Sequence, residues 1–203
     1  MPSVDGLFLT KTPHNRHNPV LGRWIKTFIS DIMKRKKAPQ KLRVIQNTGV
    51  YDMNYAGELG KDEAIDRCTK HFNEGYNCCE TMLLSFGELL GVESEVIPKI
   101  ATPFGGGIYN RKHMCGALSG AVMAIGLKYG RNTPGGKREP SSERAARLVE
   151  KFTEKYESAN CIGVLGYDPN DLEKIKRDKD KIRANICSPL IRQVAEWLWD
   201  EIK

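Results

Sequence analysis

The chain has 203 residues, of which 40% are hydrophobic and 8% are aromatic, and its formal net charge is +7 at neutral pH. This size allows one full domain with an appendage. The charge is uneven, because residues 1–50 hold ten Lys or Arg against two acidic residues while the remainder is close to neutral. Nucleic-acid binding is therefore not expected, since no recognised module is present and aromatic residues do not alternate with the charges.

The start of the chain carries no visible export signal, because Lys11, Arg16 and Arg23 interrupt every apolar stretch. The longest strongly apolar run, residues 114–127, is shorter than the roughly 20 residues that a membrane helix needs. These features predict a cytoplasmic protein. In that compartment, six cysteines are more typical of metal binding, catalysis or burial than of disulfides.

Two parts of the chain are distinguished by composition: a basic arm and linker at 1–58 and a helical domain at 59–203. Within the arm, residues 20–37 show helical spacing of apolar side chains such as Trp24 and Phe28, opposed by basic residues, before Pro39. This amphipathic arm is expected to pack on the protein's own body or on a second copy of the chain. A peripheral contact with an anionic membrane surface is the alternative.

The domain shows helical periodicity and no alternating strand pattern, which predicts an all-α, compact multi-helix bundle. Asn77 and Glu80 predict a capping box at the start of the second helix. Gly116, Gly120 and Ala124 recur every four residues, which lets another backbone approach closely. Ser188 and Pro189 predict the start of the last helix, and the helices expected before it cover residues 61–74, 78–90, 93–101, 113–129, 140–158 and 172–186.

Four cysteines stand where a helix is predicted to begin: Cys78, Cys115, Cys161 and Cys187. A helix start carries free N–H groups and a partial positive charge, which stabilise a thiolate and lower its pKa. The other two cysteines, Cys68 and Cys79, fall on apolar stripes and are expected in the core. The spacing of the four does not match zinc ribbons or ferredoxins. Their shared local context is what suggests a composite thiolate site.

Several segments occur in the order of a known family: Gly75-Tyr76-Asn77-Cys78, then Phe104-Gly105-Gly106-Gly107, then Cys115-Gly116-Ala117-Leu118-Ser119-Gly120, then Cys161 and Cys187. With this order the chain resembles the C_GCAxxG_C_C family of redox-active proteins over about residues 61–200, although it reads CGALSG where the label has GCAxxG. The resemblance implies a small helical redox protein, typical of anaerobic microbes, whose four family cysteines are the quartet above. A similar domain occurs in split-Soret-type cytochromes beside c-type haems and an iron–sulfur centre. This chain has no C-x-x-C-H, which excludes covalent haem.

The first functional hypothesis is a one-electron carrier whose four thiolates hold an iron–sulfur cluster, 2Fe–2S in preference, and which exchanges electrons with a redox partner protein. The N–H groups of Gly105, Gly106 and Gly107 are expected to donate to cluster sulfurs, and close packing at Gly116 is expected to exclude water. His113 is expected to be a loop or cap residue, and an outer hydrogen-bond donor or an exchange ligand is the alternative.

Two alternatives stay open at this point. One is a metal-free thiol–disulfide protein in which Cys78 and Cys115 form the nucleophile and resolving pair. The other is a structural Cys₄ zinc domain that acts as an adaptor. No catalytic residue and no substrate are assigned, because the sequence contains no other chemical constellation.

Overall fold

The computed structural model describes residues 60–92 and 94–203, and the regular secondary structure of this part of the chain is helical. A 3₁₀ turn covers Thr102–Phe104, and a π turn covers Arg183–Cys187. The described residues contain no β-strand, and their one β feature is an isolated bridge between Met114 and Asn160. The predicted all-α bundle is confirmed, and its helices are α1 (Lys61–Asn73), α2 (Cys78–Leu89), α3 (Val96–Ala101), α4 (Gly116–Tyr129), α5 (Glu139–Tyr156), α6 (Cys161–Leu165), α7 (Leu172–Arg177), α8 (Lys179–Ile182) and α9 (Ser188–Ile202).

Helix α4 lies at the centre of the bundle. Its sequence is apolar or small on nearly every face, and α2, α5 and α9 all pack against it. A helix that is apolar all round belongs in a core. Helices α1 and α9 pack together beside it and each buries one amphipathic face. The largest fully buried side chains come from four helices: Met82, Leu83, Phe86, Leu118, Ile125, Leu148, Phe152, Ile191 and Leu198.

The start of α2 is fixed by a capping box, as predicted. The Asn77 side chain accepts hydrogen bonds from the N–H groups of Cys79 (2.9 Å) and Glu80 (3.1 Å), and the Glu80 carboxylate accepts one from the Asn77 N–H (2.8 Å). A cap of this type contributes about 1 kcal/mol. Glu80 also accepts a hydrogen bond from the Thr102 hydroxyl, which ties the 3₁₀ turn to the same helix end.

Helices α2 and α4 approach at two glycines. A Cβ atom at Gly120 would stand 2.5 Å from the Cys79 carbonyl oxygen and 2.9 Å from the Met82 Cβ. A Cβ atom at Gly116 would collide with the Cys78 Sγ. Six residues further along the helix, a Cβ atom at Gly126 would meet nothing within 4 Å. The small-residue pattern therefore corresponds to backbone contact at the first half of α4 only.

The exposed connection between α4 and α5, residues 130–138, is a loop. Its turn is closed by the Arg131 guanidinium, which donates to the Pro134 carbonyl oxygen at 2.6 Å. This loop divides the described bundle into a part with α1–α4 and a part with α5–α9.

Several predicted boundaries differ from the structure. The third helix begins at Val96, and the fourth begins at Gly116 because the preceding residues are held in an extended bridge. The predicted single helix at 172–186 is divided into α7, α8 and the π turn.

The last helix begins at Ser188 with Pro189 in its first turn, as predicted. The expected Ser188 cap does not form, because Cys187 has helical dihedral angles (φ −71°, ψ −39°) and the chain runs on from the π turn into α9. Pro189 gives the physical reason. It lacks an N–H, and its ring collides with the carbonyl four residues earlier, so the preceding turn widens.

Among the described residues, no helix combines the length and apolarity that a bilayer crossing requires. The amphipathic stretch at 20–37 lies outside the described residues, and the boundary at 58/59 stays a prediction.

Candidate functional site

Four cysteines from four separate elements meet at one end of the bundle. Cys78 is the first residue of α2, Cys115 precedes α4, Cys161 opens α6, and Cys187 ends the π turn. The charge of the Cys78 thiolate raises the pKa of each of the other three thiols. In the same way, the charge of Cys161 raises the pKa of Cys115. The charge of Cys115 raises the pKa of Cys187, and the charge of Cys187 raises the pKa of Cys161. The packing agrees with this, because a Cβ atom at Gly116, the residue after Cys115, would collide with the Cys78 Sγ. Cys161 and Cys187 pack against one small apolar cluster formed by Leu165, Ile175 and Ile182.

A short backbone clasp holds two of these cysteines together. The Cys115 N–H donates to the Ala159 carbonyl oxygen (2.9 Å), and the Cys161 N–H donates to the His113 carbonyl oxygen (2.6 Å). The Ile162 N–H donates to the Lys112 carbonyl oxygen (3.1 Å). These bonds explain how residues 46 positions apart in the sequence reach the same place.

The loop before Cys115 has an unusual backbone conformation. Gly106, Gly107, Ile108, Tyr109 and Asn110 all have positive φ, between 48° and 73°. Residues other than glycine pay roughly 1–2 kcal/mol each for this conformation. Backbone bonds hold the turn closed, from the Tyr109 N–H to the carbonyl of residue 103 (2.7 Å) and from the Asn110 N–H to the carbonyl of residue 105 (3.1 Å).

Gly107 shows why the loop needs glycine next to the cysteines. It is buried, and a Cβ atom there would stand 2.7 Å from the Cys161 Cβ and 2.5 Å from the His113 carbonyl oxygen. A Cβ atom at Gly105 would stand 2.7 Å from the Asn77 Cγ. The loop therefore lies directly against both the α6 cysteine and the capping residue of α2.

The three loop N–H groups that were predicted to donate hydrogen bonds differ in whether they already have a backbone acceptor. The Gly105 N–H already donates to the Thr102 carbonyl oxygen at 3.3 Å. The N–H groups of Gly106 and Gly107 donate to no backbone carbonyl within the described ranges. His113 takes part in the clasp through its backbone, and its side chain is exposed. Gly106 and Gly107 are therefore the loop donors that remain available to a bound group.

The pKa values of three of the thiols are shifted upward, whereas the helix starts predicted a downward shift. Burial raises the pKa of Cys115, Cys161 and Cys187 to about 12, and repulsion within the quartet adds to it. The N–H groups of Ala117 and Leu118 do lower the pKa of Cys115, as a helix start should, but burial outweighs them. The expected depressed pKa is wrong for these three cysteines, because sequence position revealed the helix start and not the depth.

Two cations near the site were not identified from the sequence. The charge of Lys112 lowers the pKa of Cys161 and Cys187, against the larger effect of burial. Arg183 acts likewise on Cys187. Neither residue is part of a recognisable sequence motif, since Lys112 lies in the loop and Arg183 lies in a highly charged stretch.

Arg183 also fixes the position of the π turn. Its guanidinium lies over the Phe72 ring, 3.6 Å from the centroid, and donates to the carbonyl oxygens of Phe72 and Tyr76, the latter at 3.1 Å. Because Tyr76 lies two residues before Cys78, this one side chain relates the position of Cys187 to that of Cys78.

The other two cysteines lie in the core, where the sequence placed them. Cys68 and Cys79 are fully buried, and burial raises the pKa of each to about 12. Cys68 lies beside Ser85, whose hydroxyl is 2.8 Å from the His71 Nδ1. All six cysteines are free thiols.

The fit of this site to a metal group depends on its donor chemistry. No three His, Cys, Asp or Glu side chains of residues 60–92 and 94–203 are gathered tightly enough to hold a single ion. Four thiols in one region, flanked by two cations and two free N–H groups, are nevertheless the soft donor set that iron–sulfur clusters and zinc use. The residues present thus suit a thiolate-held metal group.

Comparison with known proteins gives the same region. Residues 76–201 match the family described as "Putative redox-active protein (C_GCAxxG_C_C)". The chain is also 30% identical over 110 residues to an uncharacterized protein of Archaeoglobus fulgidus, in an alignment that covers 49% of this chain and 72% of that protein. No solved structure matches.

Proposed function

Because the chain belongs to the C_GCAxxG_C_C family of redox-active proteins, we propose that it is a one-electron carrier whose Cys78, Cys115, Cys161 and Cys187 hold an iron–sulfur cluster, 2Fe–2S in preference. The observation that carries this proposal is the packing of the elements that bear the four cysteines. Gly116, next to Cys115, lies against the Cys78 Sγ, the clasp joins the segments of Cys115 and Cys161, and Cys161 and Cys187 pack on one apolar cluster. A bound cluster would supply reversible one-electron transfer without a change of ligands.

Thiol basicity favours a metal group over metal-free disulfide chemistry. A thiol of pKa about 12 is ionised to only about one part in 10⁵ at pH 7, and the thiolate is the species that attacks a disulfide. Cys115 would therefore be a very slow partner in exchange. Iron removes this obstacle, because a metal ion displaces the proton from its coordinating thiol.

The surrounding residues have roles that suit an anionic cluster. Lys112 and Arg183 bring positive charge to the Cys161 and Cys187 side of the site. The free N–H groups of Gly106 and Gly107 can donate to sulfur, which raises a cluster's reduction potential. Cys115 is buried, whereas Cys78, Cys161 and Cys187 are half-buried.

The test is a set of single Cys→Ser variants at the four positions, purified without oxygen, with iron, sulfide and zinc measured on the same samples. We expect coloured wild-type protein and loss of visible absorbance in each variant. Cys68→Ala is the matched control, since Cys68 is a buried cysteine whose pKa is not affected by the quartet, and it should keep its colour when folded.

Two outcomes would contradict the proposal. Full colour in all four serine variants would show that the quartet holds no cluster. A colourless wild-type protein with about one zinc per chain would identify a structural zinc site instead.

A further inference from the structure

The loop before Cys115 presents apolar side chains to solvent. Tyr109 is 77% exposed, and Ile108 and Met114 are 44% and 46% exposed. Large apolar side chains grouped on one exposed segment are typical of interaction sites. We call the exposed face formed by Ile108, Tyr109, Arg111, Lys112 and Met114 the loop surface.

The loop surface is also positively charged. From residue 96 to residue 138 the chain has seven Lys or Arg and no Asp or Glu. Arg111 is exposed and Lys112 half-exposed. The acidic side chain at the adjoining end of α2, Glu80, is engaged with the Asn77 N–H and the Thr102 hydroxyl. The rest of the domain carries an excess of acidic residues, so positive charge is concentrated in this segment.

The backbone holds these side chains outward at a cost. Ile108 and Tyr109 have φ of 53° and 48°, a conformation that bulky and β-branched residues rarely adopt. Strained residues of this kind cluster at functional and recognition sites. The same loop contacts Cys161 through Gly107 and leads directly into Cys115, so a protein bound to the loop surface would be close to the quartet.

We propose that the loop surface docks a small acidic electron-transfer protein; this inference rests on the proposed function. The acidic rim of the partner would face Arg111 and Lys112, and its apolar centre would cover Tyr109 and Met114. One electron would pass from the partner's reduced iron–sulfur centre to the centre that the quartet would hold, so that the partner would be oxidised and this protein reduced by one electron each, with no bond made or broken. Transient redox complexes of this kind have small interfaces and are steered by charge.

The test measures binding by calorimetry with the full-length protein and two probes, a reduced acidic ferredoxin and a basic c-type cytochrome. At about 20 mM salt the ferredoxin should bind, and at about 300 mM salt its Kd should rise at least tenfold. Arg111→Glu and Tyr109→Asn should each raise the Kd about tenfold. Asparagine is chosen because it tolerates positive φ. Lys70→Glu, an equal charge change on exposed α1, should alter the Kd less than about twofold.

Each other result overturns the proposal. These results are a ferredoxin Kd that neither Arg111→Glu nor salt changes, tighter binding of the cytochrome than of the ferredoxin, or no binding of either probe. Sedimentation that shows a dimer dissociated by Tyr109→Asn would instead assign the loop surface to a second copy of this chain.

The colour of the wild-type protein, read beside its calorimetry, separates the two hypotheses. Binding retained by a colourless wild type refutes the cluster and leaves the docking surface. A coloured wild type that fails to bind does the reverse.

Discussion

The contact between α2 and α4 predicts opposite effects of the same substitution at two positions of one helix. Replacing Gly120 with Ala puts a methyl group 2.5 Å from the Cys79 carbonyl oxygen and 2.9 Å from the Met82 Cβ. Carbon atoms pack best at about 3.5–4.0 Å, so the two helices must separate by roughly 1 Å. The obstacle is backbone, which cannot turn aside as a flexible side chain does.

The magnitude follows from two opposing effects. Alanine gains about 1 kcal/mol of helix propensity over glycine, whereas overpacking of a tight core costs about 1–3 kcal/mol. Because the clash at Gly120 is with backbone, we expect a net loss of about 1–2 kcal/mol. Gly126→Ala meets nothing within 4 Å and should gain about 1 kcal/mol. The two variants should therefore differ by about 2–3 kcal/mol.

Urea unfolding followed by far-ultraviolet circular dichroism measures this difference. The chains should be compared with reductant and chelator present, since a bound metal would add its own binding free energy. If the slope of the unfolding free energy against urea concentration is unchanged, the substitution has altered the stability and not the compactness of the denatured state. Equal stability of the two variants, to within about 0.5 kcal/mol, would refute the close approach of α2 and α4.

Two further predictions concern the site and the end of α9. Gly116→Ala puts a methyl group onto the Cys78 Sγ. The iron content per chain should therefore fall by a larger fraction than the free energy of unfolding does. A variant with normal iron content and colour would contradict the packing described here. Glu201 is buried; burial alone raises the pKa of its carboxyl, but hydrogen bonds and charge from Arg147, with the charge of Lys151, outweigh burial and hold the pKa below its ordinary value. The stability from Glu201 is thus fully present above the unfolded pKa of about 4.3 and is lost as pH falls through the lower folded pKa. Glu201→Gln should cost about 1–3 kcal/mol at pH 7 and flatten the acid limb of a stability curve; an acid limb identical to wild type would contradict this.

The features that the sequence predicted correctly are those set by neighbouring residues. The capping box of Asn77 and Glu80 is local chemistry, and it forms as expected. The spacing of Gly116 and Gly120 indicated a close helix contact because a missing side chain leaves room on one face. The helix pattern of α1, α5 and α9 followed from one apolar stripe each.

The features that were missed depend on tertiary surroundings. Depth in the fold decides the pKa of Cys115, and no local pattern records it. The left-handed turn at Ile108 and Tyr109 is held by bonds to residues 103–107 and by the clasp to residues 159–162, although both residue types disfavour that conformation. The π turn before Pro189 arises because a helix continues through a residue that normally begins one.

The exposed connection at residues 130–138 lies between the first two and the last two cysteines of the quartet. Cys78 and Cys115 precede it, and Cys161 and Cys187 follow it. A chain cut in this connection would give two fragments with two thiols each, and neither fragment could assemble a four-thiolate centre alone. Colour regained on mixing would then report reassociation of the fragments, which makes this connection the natural place to divide the protein into complementing halves.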